Sequence, residues 1–237
     1  MGGFLLSKWY FDVVTEDGAV AIAYAARLEL GPIRLDYASV LARDATGPTR
    51  ESSALSAARV TESADEITLD GLALAGTWTR RCPAIDETLL ADCDGHVRWR
   101  CHMPSADARV TLDATPLAGL GYVEHLELTI PPWRLPLETL RWGHVLAPRG
   151  ARVWIDWQSR SFSRSLEYCD GVAAPFSERV FSNETVLRSG RIGSTALGVL
   201  GREVLSRVPG STLLIDETKW RALVDGHWAI HETVSWP

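Results

Sequence analysis

Apolar and polar residues alternate along most of this chain, in short runs punctuated by Asp-Gly pairs. Trp9–Val14 and Ala19–Leu30 flank Glu16-Asp17-Gly18, and Asp-Gly between two apolar runs predicts a hairpin. Asp94-Gly95 joins Glu87–Cys93 to His96–His102 in the same way, and Asp225-Gly226 joins Glu217–Val224 to His227–Ser235. Further strands are predicted over Ile33–Leu41, Ala57–Thr61, Glu66–Leu69, Leu72–Trp78, Arg109–Leu112, Leu140–Leu146, Ala151–Gln158 and Ser163–Cys169. Gly121–Ile130 alternates until Pro131-Pro132, which cannot donate to a ladder. Residues 43–56, rich in Ser, Thr, Gly and Pro, read as a loop. One segment departs from the strand pattern. Between Ser194 and Val208, Leu197, Leu200, Val204, Leu205 and Val208 recur at near-helical spacing, and Pro209-Gly210 would stop that helix.

Many short strands joined by tight turns predict an antiparallel all-β architecture, barrel or sandwich. A closed barrel leaves no exposed edge and can hold one small ligand. The length of 237 residues suits two β domains, 1–115 and 116–237, with a junction around Asp113–Leu120.

The net charge of −6 argues against a nucleic-acid backbone as partner, since phosphate binding needs a basic surface. No apolar run is long enough to span a bilayer. The stretch MGGFLLSKWY has no basic segment ahead of its apolar patch, so it does not read as a secretory signal and a cytoplasmic protein is expected. Four cysteines are too few for a disulfide framework in a chain of this length. Ten tryptophans against five phenylalanines is unusual, and Trp can line a ligand cavity as readily as it fills a core.

Candidate chemistry concentrates in GYVEHLELTIPPWRLPLETLRWGHVLAPRGARVWIDW, residues 121–157. On a strand Tyr122 and Glu124 share one face and His125 takes the other, so Glu124 and His125 converge only through a bulge. A cavity-facing Glu124 against an aromatic wall would be desolvated and hold its proton, as general acids do. The plainer alternative is a solvated strand Glu. Trp142 and His144 share a face: Trp could stack on a substrate or shield a cation, and His could relay a proton. A buried Trp beside a hydrogen-bonded His is the structural alternative. Trp133 and Trp154 are further candidate walls. Asp156 is a second candidate carboxylate, or one half of an ion pair with Arg141 or Arg152. Cys93, His96, Cys101 and His102 lack the paired spacing of a zinc site, so no metal is expected. Near the C-terminus, a pairing of Lys219 with Glu232 or Glu217 is preferred to a role for His231 at a cavity mouth. No phosphate loop and no nucleophile elbow is present.

The block GYVEHLELTIPPWRLPLETLRWGHV resembles hydroxyneurosporene synthase (carotenoid 1,2-hydratase) and its lipocalin-like relatives, where a Gly-Tyr-x-Asp-His run precedes a Pro and a Trp-Gly-Arg strand. KWYFDVVTEDGAVAIAYAARL is similar to that family's opening hairpin, and ETKWRALVDGHWAIHETVSWP to the end of its hydratase-like members. The resemblance places Glu124 at the family's acid, His125 on its His, and Trp142-Gly143 on its Trp-Gly pair, with His144 where Arg is usual. It implies tandem lipocalin-like barrels or half-barrels with no cofactor. The activity it implies is a hydratase that protonates and hydrates a carbon–carbon double bond of an isoprenoid-like molecule. Relatives with this fold perform cyclisations, so a cyclase or isomerase of secondary metabolism is the alternative, and a non-catalytic carrier of lipophilic ligands the third. On this reading Glu124, helped by His125 or Asp156, is catalytic. Tyr122, Trp133, Trp142, His144 and Trp154 bind a small apolar substrate, which would be reached by peripheral membrane contact.

Overall fold

The computed structural model describes residues Phe4–Arg191 and Asp216–Ser235. The helix expected over 194–208 lies outside the described residues. Within them the chain is antiparallel β-structure in two sheets, with a single 3-10 turn at Pro132–Arg134. No helix among the described residues is long and apolar enough to cross a membrane.

The first sheet takes ten strands: β1 (Phe4–Val14), β2 (Val20–Leu30), β3 (Ile33–Arg43), β4 (Thr49–Ala54), β5 (Arg59–Glu62), β6 (Glu66–Gly71), β7 (Leu74–Arg80), β8 (Ile85–Asp92), β9 (Gly95–Leu112) and β10 (Thr115–Leu128). Its order is β4-β3-β2-β1-β10-β9-β7-β6-β5, with β8 also paired to β9. The long β9 serves two partners: its first half takes β8 and its second half takes β7. The second sheet runs β14-β13-β12-β11-β17-β16-β15. Its strands are β11 (Thr139–Ala147), β12 (Gly150–Gln158), β13 (Ser163–Cys169), β14 (Val172–Ala174), β15 (Ser182–Arg191), β16 (Asp216–Val224) and β17 (His227–Ser235).

The Asp-Gly hairpins stand where the sequence places them. Asp225 and Gly226 both take positive φ, 51° and 79°, the pairing that matches the twist of the flanking strands. The β9–β10 turn does the same with Asp113 and Ala114, at 49° and 66°. Residues 49–54, read from sequence as loop, are instead an edge strand on β3. Thr49–Ala54 is exposed along most of its length, so it lacks the apolar alternation that marks a half-buried strand.

The chain divides into two compact units elsewhere than at residue 115. One unit holds Met1–Arg134, Leu146–Arg152 and Tyr168–Ala173; the other holds Leu135–Val145, Val153–Glu167 and Ala174–Pro237. The reason is β10. It pairs with β9 through the Asp113–Ala114 turn and with β1 on its other side, so it belongs to the first sheet.

The core of the first unit draws on both flanks of that sheet. Phe11, Val13, Ala21, Ala23 and Val40 from the β1–β3 side pack with Ile67, Leu69, Leu74, Trp78 and Val110 from the β6–β9 side. The sheet therefore folds over on itself, and this interior is filled by Phe11, Trp78 and Met103. Glu124 does not project into this interior, because its strand neighbour Val123 takes the core side and Glu124 the opposite face of the sheet. Trp78 reaches across the interior to donate its indole N–H to the Asp12 carbonyl at 2.6 Å. Gly121 makes the reach possible, because a Cβ there would lie 2.5 Å from that carbonyl and 2.7 Å from the indole. The smaller core of the second unit joins Val145, Trp154, Val224 and Ala229, with Phe181 against them.

Gly121→Ala should therefore cost about 1–3 kcal/mol through overpacking against backbone that cannot yield. A drop in the urea midpoint at unchanged slope would register it. An unchanged midpoint would mean that the Trp78 contact is dispensable.

Candidate active site

Alternation on β1 sends Trp9, Phe11 and Val13 into the core and Lys8, Tyr10 and Asp12 to the opposite face of the sheet. The register between β1 and β10 pairs Tyr10 with Glu124 and Asp12 with Tyr122, so all four side chains share that face. Cys101 of β9 stands opposite Glu124, and Tyr24 of β2 opposite Tyr10. Tyr10, Asp12, Tyr24, Trp99, Cys101 and Tyr122 are buried, while Glu124 is half-buried.

Two donors converge on one oxygen of Glu124. The Tyr122 hydroxyl donates to Oε2 at 2.7 Å, and the Trp99 indole N–H donates to the same atom at 2.5 Å. The Tyr10 hydroxyl donates to Oδ2 of Asp12 at 2.8 Å. Tyr10 packs edge-on against Tyr24 and Tyr122, with ring centroids 5.4 and 5.9 Å apart, and the Lys8 ammonium sits 4.7 Å from the Tyr24 ring centre. Burial pushes the Tyr10 and Tyr122 phenols and the Cys101 thiol well up, with neighbouring acidic groups adding to it. These groups stay protonated at neutral pH and act as donors.

The structure does not bring His125 to Glu124. The bulges at this point lie in β9, around His102 and between Met103 and Ala106, so β10 keeps its alternation through Tyr122, Glu124 and His125. His125 faces the other way. It stacks on Trp9 at 4.6 Å, and its Nε2 lies 2.8 Å from the Ser7 hydroxyl. His102 stacks on the same indole at 4.7 Å and holds Glu62 through Nδ1 at 2.8 Å. A shallow pocket lined by Arg98, Arg100, His125 and Glu127 opens on this side. Both arginines there are engaged by Asp86.

The remaining candidates are placed as follows. Trp133 is exposed, in the turn after β10, with its ring edge-on to Phe4 at 5.9 Å. Trp142 and His144 share a face of β11 in the second unit, rings 5.7 Å apart. Between them Gly143 leaves room for the Trp154 ring on the opposite face. Trp154 carries the Arg179 guanidinium over its ring at 3.9 Å, and Arg179 pairs with Glu167 at 2.6 Å. Asp156 accepts from Gln158 at 2.5 Å and from Ser165 at 2.8 Å. Lys219, fully buried, pairs with Glu232 beside the Trp142 ring, while Glu217 pairs with Arg188. His231 is sandwiched between Phe181 and Trp220, ring centroids 4.0 and 4.8 Å away. Cys93 is exposed and Cys101 faces Tyr122.

Sequence reasoning missed Tyr10, Asp12 and Trp99. A usable signal for the first two was present. Tyr10-Phe11-Asp12 repeats the Tyr-x-acid spacing of Tyr122-Val123-Glu124, but its pairing with β10 is a matter of register.

No family model matches the chain, and no curated protein matches it in sequence. Solved structures match its fold. An AttH-like protein from Nitrosomonas europaea aligns with a TM-score of 0.57 at 8% identity, over 98% of this chain and 92% of that one. Kievitone hydratase from Nectria haematococca aligns at 0.52 and 10% identity, over 99% and 89%. CghA in complex with Sch210972 aligns at 0.53 and 11% identity, over 98% and 89%. These likenesses establish a shared lipocalin-like all-β fold. The hydroxyneurosporene synthase resemblance rests on the residue motifs alone.

Burial, and secondarily the nearby His102, push His125 down to about 4 from the usual 6.5. The imidazole is thus neutral in the folded state where the unfolded chain would take up a proton. Stability should fall as pH drops from 6.5 toward 4 and level off below that window. His125→Gln should flatten part of this slope in urea titrations across the window. An unaltered slope would assign it to other groups.

Proposed function

We propose that this chain is a cofactor-independent enzyme of hydratase type that protonates a carbon–carbon double bond of a small apolar molecule, with Glu124 as the acid. The observation that carries this reading is the grip on the Glu124 carboxyl. An indole N–H can only donate, so Oε2, which takes both Trp99 and Tyr122, is an accepting oxygen. When Glu124 carries a proton, that proton therefore sits on Oε1, since both donors point at Oε2.

Transfer of that proton to an alkene carbon leaves a cation on its neighbour. Electron-rich ring faces of the kind gathered here by Tyr10, Tyr122 and Trp99 stabilise such a cation. Water then adds to it and gives its proton back to the carboxylate, restoring Glu124. A cyclisation differs only in that a nucleophile within the substrate takes the place of water. His125 has no part in this scheme, since it lies on the other sheet face. Trp133, Trp142, His144, Trp154 and Asp156 are not drawn on. The filled interior of the first unit weighs against a carrier that stores its ligand there.

Two neighbours lend support. One protein of this fold is a hydratase, and another, CghA, holds a bound small molecule. Fold likeness at this identity does not transfer activity, so the reading stands on Glu124.

The test is incubation with a panel of prenylated and polyene compounds in heavy-oxygen water, read by mass spectrometry. Hydration adds one heavy-oxygen water; cyclisation or isomerisation gives a product of unchanged mass and new retention; a carrier returns every compound unaltered. Glu124→Gln should slow turnover by at least about 100-fold with the fold intact. Full activity in that variant would remove the proposed acid.

A further inference from the structure

Lysine occurs in this chain only at positions 8 and 219, although its lysines and arginines total 24. Lys219 is fully buried and paired with Glu232. Lys8 differs on both counts. It is half-buried on β1, and among the described residues its ammonium meets no carboxylate; its partner is the Tyr24 ring, with the ring centre 4.7 Å away.

The register explains this. Lys8 stands opposite Ala26 of β2 and Leu126 of β10, and Ala26 stands opposite Tyr37 of β3, so its row across the sheet holds no acid. Asp36 and Glu127, next along their strands, alternate onto the other face, where they engage Arg27 and His96. On one side of Lys8 lies the row of Leu6, Leu28 and Leu35, all half-buried. On its other side lies the row in which Tyr10 stands between Tyr24 and Glu124. By leaning over Tyr24, the ammonium enters the Glu124 row two strands from the carboxyl, about 10 Å by strand spacing. Arg43 and Arg109 share this face but stand toward its far end, on the order of 20 Å along the strands from Lys8.

We propose that Lys8 binds an acidic oxygen of the substrate, a carboxylate or enolate, and thereby sets the alkene at Glu124. This deepens the reading of Glu124 as the acid and rests on it for the place where the alkene lies. The substrate class becomes an apolar alkene with an acidic oxygen about 10 Å from the carbon that takes the proton. Between the two polar ends the molecule would lie along Tyr10, with the leucine row beside it. Lysine suits the task. Its ammonium is a compact point charge with three donors, so it can meet one oxygen from several directions. Arginine's planar fork is used elsewhere in the sheet to hold the protein's own carboxylates, as Arg98 holds Asp86. A half-buried cation seated on a ring and lacking a carboxylate gains most from a ligand that brings one.

The test compares undecylenic acid with undecylenyl alcohol, which share a terminal alkene and differ in the head group. Reductive methylation with carbon-13 formaldehyde places a still-charged reporter on Lys8, and its NMR signal is the one missing in Lys8→Gln. The acid should bind on the order of 10-fold more tightly than the alcohol and should move that signal. Lys8→Gln should bind both compounds equally, and Lys8→Arg should keep the preference for the acid. Equal affinity of the two compounds for the unaltered protein, a preference that survives Lys8→Gln, or binding of neither compound overturns the proposal. The labelled protein decides the matter even if a variant fails to fold, since an acid that binds without moving the Lys8 signal lies elsewhere. Binding is read without turnover. If no compound on the hydration panel reacts, the hydratase reading fails while the head-group preference still decides the role of Lys8.

Discussion

The Trp78 indole, lying against bare Gly121 and bonded to the Asp12 carbonyl, is the contact on which the arrangement of this unit depends. It ties β7, three strands away along the sheet, directly to β1. One N–H bond thereby fixes the strand that carries Tyr10 and Asp12 relative to the strand that carries Tyr122 and Glu124. The same indole fills the interior. Core packing and site geometry are thus two faces of one constraint: the residue that closes the core holds the backbone of the site from behind.

That arrangement separates two jobs that a ligand-carrying barrel would combine. The inward face of the first sheet is apolar and packed, and provides stability. The other face gathers three tyrosines, an indole, a thiol and two carboxyls. Buried polar groups are costly unless satisfied, and here the Tyr10 and Tyr122 hydroxyls each find a carboxyl. A sheet that served only as scaffold would not concentrate such groups. Their presence on one face is a stronger functional hint than any single acid in it.

The strand pattern was legible because apolar alternation and Asp-Gly turns are local signals, as at Asp17-Gly18 and Asp225-Gly226. Strand β4 was not, because exposed Thr, Arg, Glu and Ser carry no alternation, and only its pairing to β3 makes it a strand. Tyr122 and Glu124 could be placed on one face from spacing alone. The separation of Glu124 from His125 was equally readable, and the bulge expected to overcome it fell in β9 instead. A bulge belongs to whichever strand has residues to spare, which one strand's sequence does not reveal. Asp12 went unseen for a related reason: it is close to Glu124 only through a register that spans more than half the chain's first unit.

That span has a cost during synthesis and refolding. Ser7 meets His125 at a sequence separation of 118, and every pairing between β1 and β10 is comparably remote in sequence. Loop closure on that scale is slow, and it comes last because the intervening hairpins form from neighbours. Until then the edge of β1 next to β10 has no mate, and its apolar Trp9, Phe11 and Val13 are open to strangers. A nascent polypeptide of this kind is most vulnerable to clumping before its tenth strand emerges, and its yield should depend on how long its opening segment is shielded.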